Sequence, residues 1–205
     1  MPQNQLATFE RWRKKLPHNT AYLTDLVLSE IVPVFESKGF GRFLDYAGGS
    51  SYAVGANTIP LQRRSGQEWP TVEINFDKRK RPALGITFAM LPEICHRYLP
   101  DGKTIRIPRI EANVVEGSAF FSLCKGQGKN YDGNFGAYWS GVWRSESYFQ
   151  KEIGAMMVLL PWLFDLFDRG IPKTWLEASR GGYVDRHAFL NPSSYFLVKK
   201  MGVSS

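Results

Sequence analysis

The sequence predicts a single α+β domain, in which a mostly antiparallel, twisted sheet carries helices packed on one face. Three observations lead to this fold class. Apolar residues recur every three to four positions near the start and towards the end of the chain, as they do in amphipathic helices. Between these regions they alternate with polar residues, which is typical of strands with one wet face. Short turns rich in Gly and Ser separate the strands and favour an antiparallel meander over parallel strands with helical crossovers.

Residues 1–39 are predicted to form two helices. The first ends at Pro17 and has an apolar face made of Leu6, Phe9, Trp12 and Leu16. The second occupies residues 20–38 and has an apolar stripe made of Leu23, Leu26, Val27, Ile31, Val34 and Phe35. Pro33 is expected to kink or divide the second helix, because proline has no backbone N–H to donate. Gly39 is expected to end it, because glycine adopts the left-handed cap conformation at little cost.

Residues 40–143 are predicted to form the sheet. The clearest strand pattern is the alternation of three apolar side chains, Val72, Ile74 and Phe76, with three polar ones, Glu73, Asn75 and Asp77. Because successive side chains of a strand point to opposite faces, we expect the apolar three to be buried and the polar three to face solvent or a groove. Further strands are expected at residues 41–46, 58–63, 84–90, 105–115 and 119–124.

Residues 144–170 are predicted to be helical, starting near Ser145 or Ser147. Pro161 is expected to break this region and to begin a second helix. The apolar face that would cover the sheet consists of Ile153, Met156, Met157, Leu160, Leu163, Phe164 and Phe167. Residues 171–205 have no strong period and are expected to form an irregular tail. No linker or change of composition indicates a boundary, so the whole chain of 205 residues is predicted to be one domain.

Composition excludes several classes of protein. Hydrophobic residues make up 43% of the chain, which is enough for a core and too many for a disordered protein. The two cysteines, Cys95 and Cys124, are too few for a secreted disulfide scaffold and fit a reduced cytosol, so we expect a cytoplasmic protein. The longest apolar run, residues 154–164, is about half as long as a membrane span requires, so no membrane association is expected. The first residues also lack the basic start and apolar run of a signal peptide.

The chain is basic, and its positive charge is concentrated in the predicted sheet. The formal net charge is +7, from 26 Lys and Arg against 19 Asp and Glu, and residues 40–110 account for +5 with eleven basic and six acidic residues. The densest group is a predicted hairpin loop made of Lys78, Arg79, Lys80 and Arg81. If their strands are neighbours, the patch would also include Arg63, Arg64 and Arg106. Such a patch would bind the phosphates of nucleic acid or an acidic protein surface, and the alternative is a solvated turn.

A second group of candidate binding residues lies in the Gly- and aromatic-rich stretch 126–143. It consists of Lys129, Tyr131, Tyr138 and Trp139. Single-stranded nucleic acid is bound by such groups, because bases stack on aromatic rings while cations hold the backbone. The alternative is a long loop that packs its own aromatic side chains against the core.

No diagnostic catalytic motif is present, so the sequence favours a protein that is not an enzyme and has no cofactor. The enzymatic alternative is a metal-dependent nuclease or phosphodiesterase, in which Glu73 and Asp77 would hold Mg²⁺. Lys78 or Lys80 would then steady the phosphate. Against this alternative, the two carboxylates lie about 13 Å apart along a strand, so a third, such as Glu111, would have to complete the site.

Two cysteine-based alternatives have less support. A thiol enzyme would pair Cys124 with His187 and Asp185, but this cysteine ends an apolar strand and is expected to be buried. A zinc site would use Cys95 and His96, but neighbouring side chains of a strand point apart. No Cys-x-x-Cys pair accompanies them.

Several short motifs follow one another in the first half of the chain. An amphipathic helix ends in Lys38-Gly39-Phe40, a strand follows Gly41-Arg42-Phe43, another reaches Gln62-Arg63, and a third contains Leu84-Gly85-Ile86-Thr87-Phe88. In this order, residues 23–92 resemble a group of small bacterial α/β domains of unknown function. The resemblance covers about a third of the chain. It implies an α+β domain, often of prokaryotic accessory or conflict systems, and carries no catalytic residue to transfer.

The function that the sequence favours is a non-enzymatic binding or accessory module with a basic surface. Its partner would be nucleic acid or an acidic protein, and its setting a prokaryotic conflict or defence system. The remaining alternative is a protein–protein adaptor or immunity-type protein, whose exposed Trp and Tyr side chains would be the contact residues.

Overall fold

The computed structural model describes residues 3–42, 55–107, 120–124, 135–137, 144–172, 175 and 181–184. The described helices are α1 (Gln3–Arg13), α2 (His18–Leu26), α3 (Val32–Ser37) and α4 (Glu146–Arg169). The described strands are β1 (Gly41–Arg42), β2 (Thr58–Gln62), β3 (Glu68–Phe76), β4 (Ala83–Pro92), β5 (Cys95–Tyr98), β6 (Thr104–Ile107), β7 (Phe120–Leu123), β8 (Phe135–Gly136) and β9 (Gly181–Val184). The helices pack on one face of a mainly antiparallel sheet, which confirms the predicted α+β fold class. Within the described ranges, no helix combines the length and the apolarity needed to cross a membrane.

The sheet is built around the long β3–β4 hairpin. Backbone pairing joins these strands along their whole length, from Glu68 opposite Pro92 to Phe76 opposite Leu84. The strand order is β1–β2–β3–β4–β7–β9, and β8 pairs with the first residues of β4. Neighbouring strands are antiparallel except β7 and β9, which run parallel. Strands β5 and β6 form a separate hairpin.

Strand β9 lies in the part of the chain predicted to be an irregular tail, so that prediction is wrong for residues 181–184. The sequence Gly-Gly-Tyr-Val has no alternation of apolar and polar residues that would indicate a strand. It becomes one because the edge of β7 offers backbone N–H and C=O groups to pair with. In the resulting register, Phe120 lies opposite Gly181 and Leu123 opposite Val184.

The predicted alternation of β3 is confirmed on its helix-facing side. Val72 and Ile74 are fully buried and Phe76 is 2% exposed. The opposite side of the strand is not an open surface, because Glu73 retains only 6% exposure and Asn75 is half-buried. Other polar residues on this side of the sheet are also buried, namely Thr58, Gln62 and Thr71. The expectation that the polar residues of β3 face solvent or a groove is therefore wrong for Glu73, since this side of the sheet is shielded from water as well.

Helices α2 and α3 belong to one long helix that changes its hydrogen-bonding pattern before Pro33. Residues Val27–Ile31 form a π-helical turn, and the N–H of Val32 donates to the carbonyl of Val27, five residues earlier. Pro33 then lies in the first turn of α3, where a missing N–H disrupts a helix least. Pro33 therefore does not divide the helix: helical residues run without a gap from His18 to Ser37, and the proline is accommodated by the change of hydrogen-bonding pattern just before it.

The end of α3 follows the predicted glycine stop. Gly39 has a φ of +81°, and its N–H donates to the carbonyl of Glu36 at 3.0 Å. The N–H of Phe40 donates to the carbonyl of Phe35 at 3.1 Å, and the two rings meet edge to face with centroids 5.4 Å apart. This combination of two capping bonds and an apolar contact is the Schellman motif, and it directs the chain from α3 into β1.

Helix α4 is continuous through Pro161, so the predicted break is wrong. Its buried face consists of Phe149, Ile153, Met156, Leu159, Leu160, Leu163, Phe164, Leu166 and Phe167. A proline inside a helix costs about 3 kcal/mol, whereas each buried side chain of this kind contributes about 1.5 to 3 kcal/mol. Packing therefore outweighs the effect of the proline. Pro161 is also exposed, so water can bind the carbonyl of Met157 that lacks a helical donor.

Candidate functional site

The turn between β3 and β4 holds four consecutive cations, and Asp77 neutralises one of them. The N–H of Asp77 donates to the carbonyl of Ala83 at 2.9 Å, which closes the turn. Its carboxylate accepts from the N–H of Arg79 at 2.7 Å and forms an ion pair with the guanidinium of Arg81. The Arg81 side chain is only 16% exposed. Arg81 is therefore a structural cation whose charge is balanced inside the turn.

The contacts within this turn lower the pKa of Asp77. Burial is the largest single influence and raises the pKa, but the hydrogen bonds from the Arg81 side chain and from two turn amides, together with the Arg81 charge, outweigh it. A carboxyl with a depressed folded-state pKa stabilises the fold above its unfolded-state pKa of about 3.9. That contribution is lost as the pH falls through the folded-state pKa.

Asp77→Asn is therefore expected to lower the free energy of unfolding at neutral pH by about 1 to 3 kcal/mol, because it removes the charged acceptor of Arg81. Urea denaturation of the variant and the wild type should show this difference shrinking below about pH 4, where the wild type also loses the charge. The comparison variant is Asp101→Asn in the β5–β6 turn, where the carboxylate accepts from the N–H of Lys103 at 3.1 Å and pairs with its ammonium in full contact with water. Because exposed contacts of this kind contribute little, its effect should be clearly smaller than that of Asp77→Asn. An equal difference at neutral and acidic pH would contradict a role for the Asp77 charge.

The β3–β4 turn is docked on the connection between α1 and α2. Lys80 has a φ of +58°, a left-handed conformation that costs a residue other than glycine roughly 1 to 2 kcal/mol. Its carbonyl accepts from the hydroxyl of the buried Thr20 at 2.7 Å. Its Nζ donates to the carbonyl of Lys15 at 3.1 Å. These two contacts hold the strained residue and fix the turn against the first turn of α2 and the α1–α2 connection before it.

Aromatic packing explains why α1 lies beside this turn. The rings of Phe9 and Trp12 on α1 contact the ring of Phe76, the last residue of β3, with centroids 6.2 and 5.6 Å away. Phe9 is 2% exposed, so this contact belongs to the core. Because the turn follows Phe76 directly, the end of α1 brings Lys14 and Lys15 next to it.

These contacts create a surface that we call the basic cluster, made of Lys14, Lys15, Lys78, Arg79 and Lys80. The first four are exposed, and Lys80 is half-buried. None of the five forms an ion pair with another residue in the described part of the chain. Arg13 differs from them, because it pairs with Asp25 at 2.7 Å. Cations from two segments that are distant in sequence thus share one surface at one end of the sheet.

Arg63 follows β2 at the opposite end of the sheet, about 20 Å from the basic cluster along β3. Its guanidinium pairs with Asp168 at 2.6 Å and donates to the carbonyl of Lys38 at 3.2 Å. It also lies 5.1 Å from the centre of the Phe40 ring. These contacts tie β2 to the ends of α3 and α4, which is a structural role. Arg64, next to it, is exposed.

Arg106 is exposed on β6 and also lies away from the basic cluster. The β5–β6 hairpin follows the far end of β4, and its Cys95 and Ile105 pack against Ala89 and Leu91. These two β4 residues belong to the side of the sheet that does not carry the helices. The three arginines that could have joined the hairpin loop are therefore placed apart from it.

The predicted group of aromatic and basic residues lies outside the described part of the chain, namely Lys129, Tyr131, Tyr138 and Trp139. Its stacking role stays a prediction. The same holds for three residues that the catalytic alternatives require, Glu111, Asp185 and His187. The candidate site among the described residues is the basic cluster.

The surroundings of Glu73 and Asp77 disfavour the metal-dependent alternative. Both carboxylate oxygens of Asp77 are engaged within the turn, so a metal ion would have to displace the Arg81 guanidinium. Glu73 is buried on β3, four positions earlier in the chain. Across the described residues, no group of three or more His, Cys, Asp or Glu side chains is arranged to hold a metal ion.

The surroundings of the two thiols also disfavour the cysteine-based alternatives. Cys95 and Cys124 are both buried, and buried thiols in apolar surroundings are poor nucleophiles. His96 is exposed beside the buried Cys95. The two side chains therefore lie on opposite sides of β5, as predicted.

The charge pattern of the sequence does not point to Lys14 and Lys15, because charges nearly balance over the first 39 residues. Residues 1–39 hold five basic and four acidic residues, and this sum conceals three consecutive cations that begin at Arg13. This run, shortly before Pro17, was the detectable signal. Its position beside the β3–β4 turn depends on tertiary packing.

The chain matches no protein-family model, no curated protein and no solved structure.

Proposed function

We propose that the protein is a non-enzymatic module that binds nucleic acid through the basic cluster. The observation that carries this proposal is the docking of the β3–β4 turn on the α1–α2 connection, which gathers the cations of two segments. Lys80 supports it further, because the turn holds this cation in a conformation that glycine would adopt without strain. Phosphates would relieve the repulsion between neighbouring cations, and the nucleic acid would release its condensed counterions.

The chemistry of the basic cluster favours phosphates over base edges and over a protein partner. All but one of its members are lysines, compact point charges that attract phosphate without the bidentate geometry by which arginine reads a base. Trp12, two residues before Lys14, is half-buried against Phe76 and therefore is not an exposed aromatic anchor of the kind that dominates protein–protein contacts. Binding is therefore expected to be independent of sequence and strongly dependent on salt.

The setting that we propose follows from the resemblance of residues 23–92 to small bacterial domains. Accessory proteins of prokaryotic conflict or defence systems handle nucleic acid in the cytoplasm, and a module that binds nucleic acid fits such a system. The resemblance supports this setting, and the basic cluster supports the activity.

Removing two exposed cations of the basic cluster is expected to weaken nucleic-acid binding. At about 0.1 M salt, Lys78→Ala/Arg79→Ala should lower the affinity for single-stranded DNA or RNA roughly tenfold. The negative slope of the logarithm of the binding constant against the logarithm of the salt concentration should become shallower by about 1.4, at about 0.7 per lost phosphate contact. Arg64→Ala/Arg106→Ala is the matched control, since it removes the same charge from exposed residues outside the cluster. Fluorescence anisotropy over a series of salt concentrations measures the affinity and the slope.

Two outcomes would contradict the proposal. Equal losses of affinity in the two double variants would mean that binding follows net charge rather than the basic cluster. No binding by the wild type at low salt would exclude nucleic acid as the partner. An acidic protein surface or an adaptor role would then be favoured.

A further inference from the structure

Helix α4 carries an exposed apolar surface on the side that faces away from the sheet. Val158 is 55% exposed and the adjacent Met157 is 37% exposed. Gly154 and Pro161, one turn before and one turn after, are exposed as well. The helix therefore buries one face in the core and presents a second apolar face to its surroundings.

This second face is bounded by opposite charges at equal distances from Val158. Lys151 lies seven residues before it and Asp165 seven residues after it. Seven residues are close to two helical turns, so both charges lie on the same side of the helix as Val158, each about 10.5 Å away along the axis. We call this line of residues the α4 stripe: Lys151, Gly154, Val158, Pro161 and Asp165.

The charges of the α4 stripe are open to a partner. Lys151 is exposed and forms no ion pair within the described ranges. Asp165 pairs with Arg169 at 2.8 Å, but the two side chains are 49% and 78% exposed. An ion pair so open to water contributes little to stability, so Asp165 can exchange Arg169 for a cation of a partner.

We infer that the protein self-associates through the α4 stripe, with the α4 helices of two copies antiparallel about a two-fold axis that passes Val158. In this arrangement Lys151 lies opposite Asp165 of the partner subunit, and symmetry repeats the pair on the other side of the axis. A second copy is the partner that this charge pattern fits, because reversing the stripe places each charge against its opposite. The inference does not rest on the proposed nucleic-acid binding.

Gly154 supports a close approach of the two helices. A glycine inside a helix is destabilising relative to alanine, and apart from the backbone of α4 itself no described atom lies within 4 Å of the place that a side chain would occupy. The space above Gly154 is therefore open to a residue of the second copy. Beside the stripe, a shallow groove of about 400 Å³ between α3 and α4 extends the apolar surface. Its lining combines five apolar residues, Val34, Met157, Leu160, Pro161 and Phe164, with three charged ones, Lys38, Asp165 and Asp168.

Sedimentation velocity over a range of protein concentrations tests the association, which we expect in the micromolar range for a contact of this small size. Either single variant, Lys151→Asp or Asp165→Lys, would place like charges opposite one another at both symmetry-related ends of the contact. Each should therefore raise the dissociation constant of the dimer by at least about tenfold. The double variant Lys151→Asp/Asp165→Lys exchanges the charges and should restore the wild-type dissociation constant. Val158→Glu should leave only monomer. Circular dichroism verifies that these exposed substitutions leave the fold intact.

A cysteine at the two-fold axis gives a second, independent measurement. Val158→Cys should form a disulfide-linked dimer under mild oxidation, because each new thiol would lie next to its symmetry mate. Thr104→Cys, exposed on the β5–β6 hairpin, is the control and should remain monomeric. A wild-type protein that is monomeric at all concentrations would overturn the inference and leave the stripe for a different protein. A dimer unaffected by Val158→Glu, or one that the charge exchange fails to restore, would overturn it as well.

Discussion

Replacing Gly136 with alanine is expected to lower the free energy of unfolding by roughly 3 to 5 kcal/mol. Gly136 has a φ of +91°, which strains any residue that carries a side chain. The added Cβ would lie 2.3 Å from the carbonyl oxygen of Pro82 and 3.2 Å from the Cα of Ala83. It would also lie 3.1 Å from Cδ2 of Leu23 on α2. The substitution therefore combines backbone strain with overlap against backbone atoms.

The surroundings of Gly136 prevent the backbone from moving away. Its N–H donates to the carboxylate of Glu152 at 2.6 Å, and its carbonyl accepts from the hydroxyl of Tyr148 at 3.1 Å. The next residue, Ala137, donates its N–H to the carbonyl of Pro82 at 2.7 Å. Strand β8 is thus held between α4 and the start of β4, and any shift that relieves the overlap breaks one of these bonds.

Gly66→Ala is the matched control for this substitution. Gly66 also has a positive φ, +62°, but among the described residues no atom beyond its two chain neighbours lies within 4 Å of the added Cβ. Gly66→Ala should therefore lower the free energy of unfolding by the backbone strain alone, about 1 to 2 kcal/mol. Urea denaturation of both variants measures the difference. If Gly136→Ala lost no more stability than Gly66→Ala, the clamped position of β8 would be wrong.

Phe9→Ala is expected to destabilise the protein by about 3 to 5 kcal/mol and to weaken its binding of nucleic acid. The Phe9 ring is buried against Trp12 and Phe76, and these contacts attach α1 to the sheet. Without this ring, α1 loses its hold on the end of β3. Lys14 and Lys15 would then no longer be kept beside the β3–β4 turn.

Leu6→Ala provides the control on the same helix, because Leu6 is 44% exposed. It should change the free energy of unfolding by less than about 0.5 kcal/mol and leave binding as in the wild type. Chemical denaturation and anisotropy titration at low temperature, where both variants are folded, separate the two effects. Wild-type affinity in a destabilised Phe9→Ala protein would show that α1 does not contribute to the binding surface.

The sequence by itself determined the features that depend on near neighbours. Gly39 ends α3 because both of its capping bonds involve residues within the last turns of that helix. The hydrogen-bonding pattern of the long helix changes next to Pro33 because the ring and the missing N–H of a proline act within one turn. The two-residue period of β3 put Val72 and Ile74 in the core. The α+β class follows from such local periods, which is why it could be predicted.

Only the tertiary structure decided which cations lie together. Lys15 is brought beside Lys80 by rings that meet across the core, and Arg63 is kept apart because the antiparallel register of β2 and β3 places it at the other end of the sheet. Pro161 stays inside α4, and residues 181–184 form a strand, for the same kind of reason. Each outcome depends on contacts between segments far apart in the chain. The free energy of those contacts outweighs local preferences and is not encoded in the spacing of neighbouring residues.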